Sequence, residues 1–426
     1  MEKSDKIVKY ILFCVLALLL GFFAGAAVWA LLRVMDFGID LVWDTLPDVL
    51  ECGHSILYYL AVCVTGGVLI GLWRKKYGPL PDNMEQVLGR VKTKGSYPYD
   101  RLPVIAVAAL LPLIAGGTLG PEAGLSGIIA GLCCWIGDNL KYKGDKTVAL
   151  AETGFIATVS VIFGAPFFGI AHSLEPDDGT ETYRKRILKK RGRIVIYCFG
   201  AAGAMLAYKG LGKLTGVSGG IPRFNAAHAV GIDQWKWFVP MAAAGIVLAL
   251  WYILTRSVMK KAACLFGEHD ILRCVCAGVL LAAAGFFVPL GMFSGEQQLT
   301  GLVQYPQTYA VSILVVSAFM KIFLVNSCIE LGWRGGNIFP MIFSGAMAGY
   351  AFAALTGADG AFAAAVVIAA FYSYIMRKPA AVTCILLLCF PVTYIIPVAV
   401  SAFVAAKIPA PGMGGKAGNG TSEPED

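Results

Sequence analysis

Apolar residues run along this chain in long blocks: 10–33, 54–73, 102–119, 147–174, 194–209, 238–255, 271–293, 308–329, 338–356, 361–376 and 380–406. A helix needs about 20 consecutive apolar residues to cross the hydrocarbon of a bilayer, so the pattern predicts an all-α polytopic membrane protein. Several blocks are shorter than that or are interrupted by Gly and Pro, which predicts tilted and half-spanning helices. The polar intervals 74–101, 175–193 and 211–236 are loop-sized and leave no soluble domain. From Pro409 to Asp426 the chain is rich in Gly, Pro and Ser and is expected to be disordered. A C-terminal regulatory domain is therefore not expected.

Two blocks are opened by the same device. In the first half, Gly116-Gly117-Thr118-Leu119-Gly120-Pro121-Glu122-Ala123-Gly124 precedes an expected short helix from Leu125 to Ile136. In the second half, Gly332-Trp333-Arg334-Gly335-Gly336-Asn337-Ile338-Phe339-Pro340 precedes one from Met341 to Leu355. Glycines let a backbone leave helical geometry inside a membrane, which is tolerable only where it lines a cavity or packs against protein. The helix that follows has unpaired amides and a positive dipole end at the break. Two such ends converging make an anion site with no fixed cation, which would bind too tightly to release the ion. Broken helices at matching places in two halves point to a midplane site in an inverted repeat. Tyr77-Gly78-Pro79-Leu80-Pro81-Asp82 is a weaker third candidate, since Gly-Pro clusters are ordinary turns.

Composition agrees with a membrane reading. The chain is 58% hydrophobic and 15% charged, against roughly a quarter charged in soluble domains. Its 50 glycines suit close helix packing. Segment 34–53 carries Asp36, Asp40, Asp44, Asp48 and Glu51 without a Lys or Arg, whereas the N-terminus (Lys3, Lys6, Lys9) and 74–101 are basic. The positive-inside rule places the basic segments in the cytoplasm and 34–53 outside. The cluster Arg184, Lys185, Arg186, Lys189, Lys190, Arg191 and Arg193 reads as an inside-facing loop beside anionic lipid rather than a nucleic-acid patch. Lys260 and Lys261 mark another cytoplasmic end. The first apolar block lacks a cleavage pattern and is read as a retained helix. Most of the 12 cysteines lie in apolar blocks and the four histidines are scattered, so no metal site, redox chemistry or cofactor is expected.

With these segments in view, the chain resembles the CLC family of chloride channels and chloride/proton antiporters, as a divergent prokaryotic member. The family's Gly-(Arg/Lys)-Glu-Gly-Pro is similar to Gly120-Pro121-Glu122-Ala123-Gly124, with Glu122 on the gating glutamate. Its Gly-x-Phe-x-Pro is similar to Gly336-Asn337-Ile338-Phe339-Pro340, with Ile338 replacing the Phe. Phe163-Gly164-Ala165-Pro166-Phe167-Phe168-Gly169-Ile170 resembles an Asn-Ala-Pro-Leu-Ala-Gly-Ile helix, and Arg377-Lys378-Pro379 a late Arg-x-Pro element. The order holds from about residue 10 to 406. The resemblance implies a CLC-type inverted repeat of tilted and broken helices and a homodimer with one pore per subunit. It also implies anion coordination by backbone amides near Gly78, Pro79, Gly120, Ala123, Gly124, Asn337, Ile338 and Phe339. The expected division is a cytoplasmic N-terminus over 1–9, halves over 10–210 and 237–408, a connection over 211–236 and the tail.

Departures from the pattern are specific. The family's coordinating serine aligns with Gly78, and its late tyrosine has no counterpart; Tyr394 has the wrong spacing. Ser218-Gly219-Gly220-Ile221-Pro222 is a near-match to the family's Gly-Ser-Gly-Ile-Pro serine motif but follows no apolar block and is read as a decoy. The internal proton-transfer glutamate aligns with Pro176, beside Glu175, which either stands in for it or belongs with Asp177 and Asp178 to a solvated cytoplasmic mouth. Glu152 is either a proton route or a hydrogen-bonded structural group. Lys321, Glu330 and Arg334 are expected to form an internal ion pair or to cap carbonyls at the break, and His172 is expected to be packed. The resulting expectation is transport of small inorganic anions, chloride first, across a bacterial inner membrane, gated by Glu122 and passive or proton-coupled. An uncoupled channel and a fluoride exporter are the alternatives. An intramembrane enzyme would need a catalytic dyad or metal cluster, and a purely structural protein would not need two broken helices with a lone glutamate.

Overall fold

The computed structural model describes residues 2–52, 55–94, 96–140, 145–175, 183–216, 222–224 and 231–409. Those residues form helices and connections, with no named strand among them. The first half contains α1 (Glu2–Asp40), a π-helical turn (Leu41–Thr45), α2 (Leu46–Val49), α3 (Ile56–Tyr77), α4 (Met84–Lys94), α5 (Leu102–Ile114), α6 (Glu122–Asn139), α7 (Asp145–Ile162), α8 (Pro166–Leu174) and α9 (Tyr183–Thr215). The second contains α10 (Phe238–Cys264), α11 (Asp270–Phe287), α12 (Glu296–Gln304), α13 (Val311–Glu330), α14 (Ile338–Thr356), α15 (Gly360–Met376), α16 (Pro379–Cys389) and α17 (Ile395–Lys407). Seven helical stretches among the described residues are long and apolar enough to cross a bilayer. Others, such as α5, α15 and α16, are apolar but shorter. The chain is a multi-spanning membrane protein of long and partial helices.

Packing repeats between the halves. Helix α6 lies against α5 and α7, as α14 lies against α13 and α15. Helix α1 packs on α7 and α9, as α10 packs on α15 and α17. Equivalent helices also meet one another, α3 against α11 and α8 against α16. The polypeptides run antiparallel where Gly120 pairs with Gly336, just before α6 and α14 begin. The repeat is therefore inverted.

Local chemistry explains several boundaries. Ser55 caps α3 by accepting from the Leu57 amide at 3.2 Å, and Asp359 caps α15 by accepting from Phe362 at 2.7 Å. Helix α3 ends in Arg74, Lys75 and Lys76, cations that suit a helix C-terminus. Gly78 closes it at φ +85°, a conformation that glycine adopts without penalty.

Some expectations are corrected. The basic cluster 184–193 belongs to the backbone of α9 rather than to a loop, since Arg and Lys are good helix formers. Segment 34–53 continues helically to Val49. Helices α6 and α14 start at Glu122 and Ile338, three residues earlier than read, so both site residues stand in first turns. His54, Pro176, Asp177, Asp178, the Ser218–Ile221 motif, His228 and the tail from residue 410 lie outside the described residues.

Candidate functional site

Two breaks in an apolar interior leave amides that must find partners. The amide of Gly120 donates to the Gly336 carbonyl at 2.8 Å, and the Gly336 amide donates back to Gly120 at 2.8 Å. The next free donor belongs to Ile338, the first residue of α14. It donates to Glu122 Oε1 at 2.8 Å. Glu122 is itself the first residue of α6 and is 1% exposed. Its Oε2 is buried without a hydrogen-bond partner among the described residues. A carboxylate thus sits between two positive helix ends, a position that favours negative charge. A Cβ at Gly120 or Gly336 would overlap the Glu122 carboxylate, so glycine at both positions leaves that side chain room to sit in the junction.

Two cavities flank the junction. The inner one, about 200 Å³, is lined by Asn83, Met84 and Glu85 of α4 and its approach, by Glu122 and Ala123, by Tyr252 and Arg256 of α10, by Arg334 to Ile338, and by Tyr372 of α15. Arg256 of its wall lies about one turn before Lys260 and Lys261, the end of α10 that the charge pattern assigns to the cytoplasm. The outer one, about 460 Å³, is lined by Arg33, Asp36, Asp40, Trp43, Asp44 and Glu296 among others. Gly117 and Leu119 border the outer cavity and Glu122 and Ala123 the inner, so one strand of chain separates them.

The residues singled out in the sequence divide into two groups. Glu122, Ala123, Asn337 and Ile338 meet at the inner cavity, with Gly120 behind them in the junction. Gly78 and Pro79 do not line it; Pro81, Asn83, Met84 and Glu85 of the same connection do. Gly124 turns toward Ala109 of α5, and Phe339 stacks on Phe163 at 4.8 Å. Glu175 does not belong to a solvated mouth. It is 7% exposed rather than solvated, and its carboxylate accepts from the Ala380 and Ala381 amides at 2.8 and 2.9 Å. It caps α16, away from the cavity that holds Glu122.

The other internal charges are mostly structural. Lys321, 0% exposed, donates to the carbonyls of Leu290, Met292 and Phe293 at 3.0, 2.9 and 3.1 Å. It secures the turn between α11 and α12, not the break before α14. Glu330 pairs with Arg256 at 3.2 Å. Glu152 is hydrogen-bonded by the Tyr197 hydroxyl and faces Arg193 at 3.5 Å, the arrangement of a structural group. His172 is packed beside Phe155 and Phe168, 3.4 Å from Lys378 Nζ. Tyr394 bonds Asp359 at 3.0 Å and is remote from the junction. Arg334 departs from expectation: it neither pairs nor caps among the described residues, and its Nε is buried without a partner.

Tyr252 and Tyr372 are cavity residues that the sequence reading missed. Tyr252 accepts from Asn337 Nδ2 at 3.1 Å, which leaves its own proton free to donate. The available signal was a buried-face tyrosine in an apolar helix, which resembles ordinary core.

A family model described as voltage gated chloride channel matches residues 66–409. The chain belongs to that family. Among its relatives is the putative ion-transport protein YfeO of Escherichia fergusonii, 23% identical over 341 residues, covering 78% of this chain and 77% of the relative. The YfeO protein of Shigella boydii serotype 4 matches to the same extent, at 23% identity. A slow cyanobacterial Cl⁻/H⁺ antiporter has the same fold, with TM-score 0.78 and 17% identity over 92% of this chain and 93% of that one. A CLC-type fluoride/proton antiporter superposes with TM-score 0.73 and 17% identity over 93% and 94%.

Proposed function

We propose that this protein moves small inorganic anions, chloride first, between the two cavities past Glu122, as a homodimer with one path per subunit. The observation that carries the reading is the hydrogen bond from the Ile338 amide to Glu122. The carboxylate takes the position where α14 presents its first unpaired donor, so it competes with a permeating anion for the same positive spot. Protonating Glu122 removes its charge and its hold on that amide, which frees the spot. The ionised carboxylate and the anion then exclude each other, so protonation of Glu122 and anion entry are linked, as exchange or gating requires. The backbone site coordinates without a covalent or metal step.

Whether protons move with the anion turns on a second carboxylate. Glu175 is committed to capping α16, which favours uncoupled transport. Glu85 lines the inner cavity with Glu122 and supplies a carboxylate there if coupling exists.

The test is anion efflux from liposomes loaded with chloride or fluoride, with external pH recorded, for wild type and Glu122→Gln. Opposed chloride and proton movement in wild type, with chloride alone in the variant, is expected for an exchanger. Chloride flux with no proton signal identifies a channel. Fluoride flux without chloride would replace the substrate, and no flux of either would sink the reading.

A further inference from the structure

The inner cavity contains a cation that the backbone-amide site does not need. Arg334 lies in the second break, two residues before Gly336, and lines the same cavity as Glu122. No hydrogen bond or ion pair engages it among the described residues, and its Nε is buried with no acceptor. The neighbouring Arg256 differs, because Glu330 answers its charge at 3.2 Å. Withdrawing Nε from water without an acceptor is costly, and the half-buried guanidinium borders the cavity, where an anion can supply the missing acceptor.

We infer that Arg334 is the anion-recruiting residue of the inner cavity: it holds the transported ion on the cytoplasmic side before the ion reaches the Glu122 junction. This rests on the transport reading above and deepens it. Three features support the assignment. First, the connection that resembles the family's serine motif has Gly78 at the serine position, and neither Gly78 nor Pro79 reaches the cavity. The hydroxyl donor expected there is absent, and Arg334 with the Tyr252 hydroxyl lines the wall instead. Second, a cavity of about 200 Å³ is roughly 7 Å across, within the Debye length of about 8 Å at physiological ionic strength. The guanidinium therefore acts on any ion in the cavity with little screening. Third, release remains possible because the wall also carries carboxylates, Glu85 at its mouth and Glu122 at its inner end. Ionised, they offset the cation and keep the ion from being trapped.

A guanidinium is a planar fork that fits two oxygens of one oxyanion, whereas an ammonium is a point charge. Arg334 should therefore favour a planar oxyanion over a spherical halide, and that preference should vanish in Arg334→Lys. The Lys variant keeps the charge and most of the volume, which separates ion recognition from folding.

The measurement is calorimetric titration of purified protein with chloride and with nitrate as the oxyanion probe, for wild type, Arg334→Gln and Arg334→Lys. Liposome flux would be recorded at limiting and saturating internal anion. Arg334→Gln is expected to weaken nitrate binding by about tenfold, the usual scale for loss of a charged hydrogen bond, and to raise the internal anion concentration for half-maximal flux. Flux at saturation should stay within about twofold, because the Glu122 junction is untouched. Arg334→Lys should retain chloride affinity and lose the nitrate preference. Wild-type affinities in both variants, with transport intact, would overturn this role for Arg334 while leaving the transport reading in place. A wild type that neither binds nor moves any anion would remove both.

Discussion

Lys321 illustrates how a full charge is tolerated in the interior of this fold. An ammonium offers three donors, and the turn from Leu290 to Phe293 presents carbonyls around it at 2.9–3.4 Å. Thr118 adds a hydroxyl bond to Gly291 at 2.8 Å, tying the first break to the same turn. Lys321→Met would strand these carbonyls, each unsatisfied group costing about 1–3 kcal/mol. Thermal unfolding in detergent should show the variant several degrees less stable, and an unchanged midpoint would remove the capping role. Tyr372 invites the opposite kind of test, because its hydroxyl faces a cavity rather than the fold. Tyr372→Phe should leave the midpoint in place and weaken anion binding a few-fold by calorimetry, the scale of one lost hydrogen bond. The two residues also mark what was legible in advance. A lysine in an apolar block is conspicuous, and carbonyl capping is one of few ways to satisfy it. A tyrosine in Phe371-Tyr372-Ser373 reads as core until tertiary structure brings α15 to the break.

At the scale of elements, the two breaks could be read from sequence because glycine runs inside apolar blocks have few structural uses. Their partnership could not. That Gly120 and Gly336 would bond each other depends on the inverted arrangement of α6 and α14, which no local pattern encodes. Each helix starts three residues before the position expected from the apolar pattern, at a boundary that Pro121 and Asn337 mark, since both residue types favour helix starts. Gly336→Ala tests the junction directly. Its methyl group would occupy the space of the Glu122 carboxylate and displace it from the Ile338 amide. Transport at neutral pH should then resemble that of Glu122→Gln, and wild-type pH dependence would argue against the clash. Other helix contacts use glycine differently. Gly21 and Gly25 of α1, four residues apart, lie directly against backbone at Gly200 and Ala204 of α9. Such spacing lets helices approach backbone to backbone. Gly25→Leu should separate α1 from α9 and reduce folded yield, read by monodisperse elution in detergent.

Across the whole molecule, charge sets the orientation. Acidic residues at the end of α1 face the outer cavity, and the basic ends of α3 and α10 face the other side. A single cysteine at Glu85 in a background without accessible native cysteines should react with a membrane-impermeant thiol reagent only from the cytoplasmic side. One at Asp44 should react only from outside, and reversed labelling would invert the topology. This level of organisation was the most legible, because a bilayer imposes block length and charge placement on the sequence itself.

The two cavities flank the same junction but differ in charge: the outer is acidic and the inner is balanced. The outer wall carries Asp36, Asp40, Asp44 and Glu296 against Arg33, while the inner wall sets Arg256 and Arg334 against Glu85 and Glu122. An inverted repeat with mirrored ends would pass current equally in both directions. Here an anion meets a repulsive approach outside and a balanced one inside, so the current–voltage curve of the conducting form should bend. At equal chloride on both sides, ions should leave the cytoplasm more readily than they enter, and Arg334→Gln should straighten the curve. The fold behaves in that respect as a rectifier, with its polarity written in side chains on an otherwise two-fold backbone.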